Sequence, residues 1–156
     1  MQTQTLERAL ATHPFLADLG QEHLHFLTSC VKNARFERDA YLMHEGEPAV
    51  SLFLIREGRV ALESQVPGRG SVQVETLESG AVLGWSALFP PHYWHLDGRA
   101  VEPVLAFELD GECLRKKIEG DKEFGYAITR RLLHVVHRRL ERARLQQLDV
   151  YKAELQ

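Results

Sequence analysis

The sequence has little cysteine, no long apolar run and no excess of positive charge. Cys30 and Cys113 are its only cysteines, too few for a disulfide framework. Both lie in apolar stretches of helical periodicity, where buried, inert thiols are expected. No apolar run approaches the roughly 20 residues of a membrane span, so no membrane partner is expected. The first residues, Met1-Gln2-Thr3-Gln4-Thr5-Leu6-Glu7, lack the basic and apolar regions of a signal peptide, and a cytoplasmic location is expected. Net charge is −3, so bulk electrostatics do not point to nucleic acid. Gly-x-Ser-x-Gly, a phosphate loop and paired catalytic carboxylates are all missing, and no enzyme is expected. What is there is ordinary globular usage: 44% hydrophobic and 26% charged in 156 residues, one domain's worth, which excludes a disordered or collagen-like chain.

The periodicity changes twice along the chain. Leu6 to Leu16 and Gln21 to Val31 carry apolar residues at helical spacing, with Leu19-Gly20 between them. From Arg35 the runs become short and β-like. Tyr41 to Met43 ends at the turn Glu45-Gly46-Glu47-Pro48, and Ser51 to Arg56 reads as a strand buried on both faces. Val60 to Ser64 follows. Val66-Pro67-Gly68-Arg69-Gly70 is the strongest hairpin signal, with Val72, Val74 and Thr76 alternating on the return strand. Gly80 to Pro91 breaks the pattern. Leu96 to Glu102 and Val104 to Leu109 are two more strands. Short strands separated by turns every 8–12 residues or so predict a barrel or a double-sheet jelly roll.

Asp110 is the expected N-cap of a short helix ending at Gly120, and Asp121 the N-cap of a last helix running to about Tyr151. That last helix is about 30 residues, roughly 45 Å. Phe124, Ile128 and Leu132 are expected to lie on the roll. Leu133, Val136, Leu140, Ala143 and Val150 recur at 3-4 spacing, interrupted by Gln147, without an evident partner inside the chain. This stripe is expected to be the seam of a homodimer.

In series, Phe15-Leu16-x-x-Leu19-x-x-Glu22-x-Leu24, Glu45-Gly46-Glu47, Leu52-Phe53-Leu54-Ile55-x-x-Gly58-x-Val60, Gly80-x-x-Leu83-Gly84, Arg99-Ala100 and Val104-Leu105-Ala106-Phe107 resemble the cyclic nucleotide-binding domain. The resemblance spans roughly residues 13 to 145. It implies a mainly β fold: a double-stranded β-helix, cupin-like jelly roll with flanking helices. Within one domain over residues 1–156, it implies helices over 5–31, the β-roll over 34–109 and C-terminal helices over 110–153.

In that family a Glu after the second Gly holds the ribose hydroxyl, and an Arg before a Thr/Ser-Ala pair holds the cyclic phosphate. Backbone N–H groups of a short helix complete the cradle. Here the segment reads Gly84-Trp85-Ser86-Ala87-Leu88-Phe89-Pro90-Pro91-His92-Tyr93-Trp94-His95-Leu96-Asp97-Gly98-Arg99-Ala100. Trp85 stands at the Glu position, and Trp94 or His95 near the Arg position. Arg99 corresponds to a later basic residue of the following strand. Gly84, Trp85, Ser86, Ala87, Trp94, His95 and Arg99 are therefore the positions expected to line or support a divergent pocket. Tight binding of cyclic AMP or cyclic GMP is not expected, because two charge-assisted contacts of about 1.5–3 kcal/mol each are missing.

Two readings of the aromatic insert stay open. It is a pocket for a flat or apolar ligand, or a pocket filled by its own side chains. The first makes the chain a non-catalytic sensing or regulatory module with an unidentified small-molecule or nucleotide-like effector. The second makes it a ligand-free dimeric interaction scaffold with an unknown protein partner. A third reading, a cupin-like metalloenzyme, needs more than His92-x-x-His95, because His23-x-His25 lies in a predicted helix where the two face apart. No metal and no cofactor are expected. Arg130, Arg131, Arg138, Arg139, Arg142 and Arg144 crowd the last helix, but relatives that bind DNA add a helix-turn-helix domain after it. Specific DNA binding is therefore not expected.

Overall fold

The computed structural model describes residues 2–155. It contains four helices, α1 (Gln2–Ala11), α2 (Gln21–Leu27), α3 (Gly111–Gly120) and α4 (Lys122–Leu155). Eight strands lie between α2 and α3: β1 (Val31–Phe36), β2 (Tyr41–Met43), β3 (Ser51–Glu57), β4 (Val60–Val66), β5 (Gly70–Leu77), β6 (Val82–Leu83), β7 (Asp97–Ala100) and β8 (Val104–Asp110). They form two antiparallel sheets, ordered β1-β8-β3-β6 and β2-β7-β4-β5. This is the jelly roll with flanking helices that the sequence predicts.

The middle of the first sheet, β3 beside β8, is buried on both faces, which explains the unbroken apolar run in β3. Phe53 and Ile55 point into the roll, beside Val60, Leu62, Leu83, Val104 and Ala106. Leu52 and Leu54 point the other way, onto a second core with Leu10, Leu16, Leu27, Phe107 and Leu114. The alternation follows the strand period of two. Phe124, Ile128 and Leu132 of α4 join the second core at full burial, each contributing roughly 1.5–3 kcal/mol. Asp110 caps α3 by accepting from the Cys113 N–H at 2.9 Å, and Asp121 accepts from the Phe124 N–H at 3.1 Å.

Several expectations are corrected. The first apolar stretch is two elements, because α1 stops at Ala11 and Pro14–Leu16 forms a separate 3₁₀ turn. His13 caps that turn: its Nδ1 accepts from the Phe15 N–H at 3.1 Å, so Nε2 carries the proton and donates to the Ile55 carbonyl at 3.0 Å. The second stretch also ends early, and strand β1 begins at Val31 rather than near residue 34. Strand β6 lies where the sequence reads as an interruption; two residues are too few to set a period. Val72 and Val74 are about 40% exposed, so the alternation on β5 does not mark a core face.

Cys30 and Cys113 are not thiols. They form a disulfide, with Cα atoms 5.6 Å apart. Strand pairing is the reason: Val31 of β1 lies opposite Leu109 of β8. The chain just before β1 and the helix just after β8 therefore emerge side by side. No helix among the described residues is long and apolar enough to cross a membrane.

Candidate functional site

The insert between β6 and β7 opens with Gly84, at φ 88°. A Cβ there would stand 2.8 Å from the Ser51 carbonyl oxygen, so a side chain is excluded by both conformation and contact. The chain then forms a 3₁₀ turn over Trp85–Leu88. Ala87, fully buried in this turn, is held from above by α3. The Arg115 guanidinium donates to the Ala87 carbonyl, and a Cβ on Gly111 would already be 3.2 Å from the Ala87 Cβ.

The return leg of the insert is tied to the turn between β2 and β3. The Trp94 N–H donates to Glu47 at 3.1 Å, Trp94 accepts from the Gly46 N–H at 2.8 Å, and the Ala49 N–H donates to His92 at 2.7 Å. Asp97 fixes the same turn. One oxygen accepts from the Glu45 N–H at 2.7 Å, the other from the Gln65 side-chain amide at 2.8 Å. Sequence reading missed Asp97; a carboxylate on a strand of an otherwise apolar interior is the signal that marks it.

Trp94 is the residue that decides the character of the site. Its side chain is 7% exposed and packs in the roll interior with Leu42, Phe53, Leu62, Leu83 and Ala87. Its indole Nε1 is buried without a hydrogen-bond partner and lies 3.5 Å from where a Cβ on Gly84 would stand. The ring therefore abuts the start of the 3₁₀ turn. An orphaned buried N–H costs about 1–3 kcal/mol, offset here by burial of a large apolar ring.

The other expected site residues do not converge on one cavity. Trp85 is turned outward, with Arg139 over its ring at 4.4 Å. The Ser86 carbonyl accepts from the Phe89 N–H at 3.2 Å, and His95 is exposed. Arg99 is committed elsewhere. It donates to Glu63 at 2.9 Å and to Asp39 at 2.9 Å, and the Glu63 hydrogen bond, then Asp39, holds its pKa above the ordinary value. Among the described residues no group of three His, Cys, Asp or Glu side chains could hold a metal ion.

A second feature lies outside the roll. Trp85, Phe89, Tyr126, Leu132, Leu133 and Val136 line an apolar groove of about 720 Å³ between the insert and α4. It runs into the stripe of α4, where Leu133 and Leu140 are 69% and 57% exposed and Ala143 is also exposed. The adjoining side of α4 does have partners in the chain, contrary to expectation. Arg139 donates to the Val82 carbonyl at 3.0 Å, Arg142 pairs with Glu75 at 3.0 Å, and Gln146 reaches the Val74 carbonyl at 3.4 Å.

This geometry has relatives. A proposed cyclic nucleotide-binding protein from Geobacter metallireducens is 25% identical, with TM-score 0.78 over 86% of this chain and 97% of that one. A cyclic nucleotide-binding domain from Methylobacillus flagellatus is 20% identical, with TM-score 0.79 over 95% and 83%. The regulatory subunit of a cAMP-independent protein kinase A from Trypanosoma brucei is 24% identical, with TM-score 0.62 over 70% and 39%. No curated protein matches the chain. The family model for the cyclic nucleotide-binding domain matches residues 34–121, more than half of the chain and the whole of the insert. The chain belongs to the cyclic nucleotide-binding domain family.

Proposed function

We propose that this chain is a non-catalytic regulatory module whose nucleotide position is filled by its own Trp94, and that it acts as a homodimer on a protein partner. The burial of Trp94 beside Gly84 carries this reading. A neutral indole donor cannot form the paired, charge-assisted bonds that a guanidinium makes to a cyclic phosphate. The relative described as cAMP-independent supports the idea that the fold can regulate without that ligand. The filled interior favours the ligand-free interaction module over a sensor of cyclic nucleotides. The exposed Leu133 and Leu140 favour self-association through α4.

Titration calorimetry with cyclic AMP and cyclic GMP tests the first part. No saturable heat is expected with either at high micromolar concentration. Sub-micromolar affinity for either would overturn it. Specific recognition of duplex DNA is not part of the proposal; a salt-resistant, sequence-selective gel shift would contradict that.

A further inference from the structure

A groove of about 690 Å³ separates α4 from the 3₁₀ turn at Pro14–Leu16 and the Gly80 turn. It lies outside the roll, and its size is in the range of small-molecule sites, roughly 300–1,000 Å³. Five arginines line it, at positions 130, 131, 138, 139 and 142, and three carboxylates offset them: Asp18 and Glu78 in the lining, and Glu75, which pairs with Arg139 and Arg142. That is a local surplus of +2 on a chain of net charge −3.

The surplus is organised. Arg131, Arg138 and Arg142 are spaced by seven and four residues and share one face of α4. They lack the carboxylates at i±4 that ordinarily offset such a row: Ala127, Val135, His134 and Gln146 stand there. Glu141, the acid of this stretch, pairs with His137 at 3.2 Å. Arg131 is held by the Ala127 and Ala17 carbonyls, both at 2.9 Å, which bridges the two walls of the groove. Arg138 has no hydrogen bond or ion pair among the described residues.

Arg139 is the most telling. Its side chain is 13% exposed, and its one carboxylate, Glu75, is 3.8 Å away. Arg142 holds that same carboxylate more closely, at 3.0 Å. Two guanidiniums thus share one counter-charge. Burial pushes the Arg139 pKa down to about 10, with Glu75 opposing and Arg142 adding to the shift. A second anion would relieve this arrangement.

We propose that this groove binds a small ligand carrying two or more linked phosphate groups, as a second site separate from the roll interior. Linked phosphates fit because the arginines extend along the groove: Arg138 and Arg142 are one helical turn apart, and Arg131 lies about 10 Å farther along the axis from Arg138. A single phosphate can reach only part of this row. The proposal goes beyond the reading of Trp94 and does not depend on it, since Trp94 does not line the groove.

The probe is inorganic tripolyphosphate, with orthophosphate as comparison, at fixed ionic strength, read by calorimetry and by thermal unfolding of the full chain. Tripolyphosphate is expected to bind saturably and raise the midpoint, and orthophosphate far more weakly. Arg138→Gln removes an exposed, unpaired cation and leaves the core untouched; roughly tenfold weaker binding is expected, the loss of one charge-assisted contact. Arg138→Gln with Arg142→Gln should weaken it further, and the single variant decides the matter if the double one does not fold. Arg144→Gln, on α4 but outside the groove, should change nothing. Absence of saturable binding, or an equal loss in Arg144→Gln, would overturn the proposal. Displacement of tripolyphosphate by duplex DNA with Arg144→Gln also impaired would mean a diffuse polyanion surface instead of a site.

Discussion

Arg115 donates to the Ala87 carbonyl, so the turn at the nucleotide position is tied directly to α3. Gly111 approaches the same turn closely, since a Cβ on it would stand 3.2 Å from the Ala87 Cβ, and the Cys30–Cys113 disulfide ties α3 to the chain before β1.

The disulfide should therefore matter for stability. It spans 83 residues of sequence, and closing a loop near that size restricts the unfolded chain by about 4–5 kcal/mol in the chain-entropy model. Urea unfolding with and without reductant should show a clearly lower midpoint in reductant. Cys30→Ser with Cys113→Ser should match the reduced protein and ignore reductant. Equal midpoints would mean that the bridge does not form in solution. In a reducing cytoplasm the pair would be held open, so the fraction bridged in cells also reports the compartment.

His13 sets a pH dependence. Burial lowers its pKa below the ordinary 6.5, partly opposed by the bond to Ile55, with Arg56 lowering it further. A histidine depressed in the folded state takes up protons more readily when unfolded. Its contribution is complete above the unfolded value and is lost as pH falls from there through the folded pKa. The slope is at most about 1.4 kcal/mol per pH unit for one group. His13→Gln should be less stable than wild type near neutrality, and the gap should narrow as pH drops below 6. A gap that stays constant with pH would assign His13 a packing role only.

The fold was readable because its signals are local. Glycines at turns, a both-faces-buried β3 and the caps Asp110 and Asp121 each announce themselves within a few residues. The family pattern put Trp85 at the Glu position and Trp94 or His95 near the Arg position. Which of them fills the roll was not readable, since that depends on the return leg pairing with the 44–49 turn. The disulfide was hidden for a similar reason: only the register of β1 on β8 brings Cys30 to Cys113. The basic row of α4 resembled a solvated face. It becomes a groove wall only because Val74, Glu75 and Val82, distant in sequence, lie against it.

The apolar side of α4 leads to the last prediction. Leu133, Val136, Leu140 and Ala143 are spaced three and four residues apart, a stripe that adjoins the row of Arg139, Arg142 and Gln146. Leu133 and Leu140 are largely exposed, and Val136 with Leu133 opens into the groove beside Trp85 and Phe89. Each large side chain buried in a seam contributes roughly 1.5–3 kcal/mol, and a symmetric pair of helices buries each position twice. Ala143 permits close approach, while Gln147 helps fix register at some cost in stability. Arg130 and Arg144 flank the stripe and bring like charges together, so association should strengthen with salt. A homodimer is expected by size exclusion with light scattering at tens of micromolar. Leu140→Asp should give monomers with an unchanged far-ultraviolet spectrum, because its side chain is outside both cores. A wild-type monomer at that concentration, or a dimer that survives Leu140→Asp, would show that this stripe is not the seam.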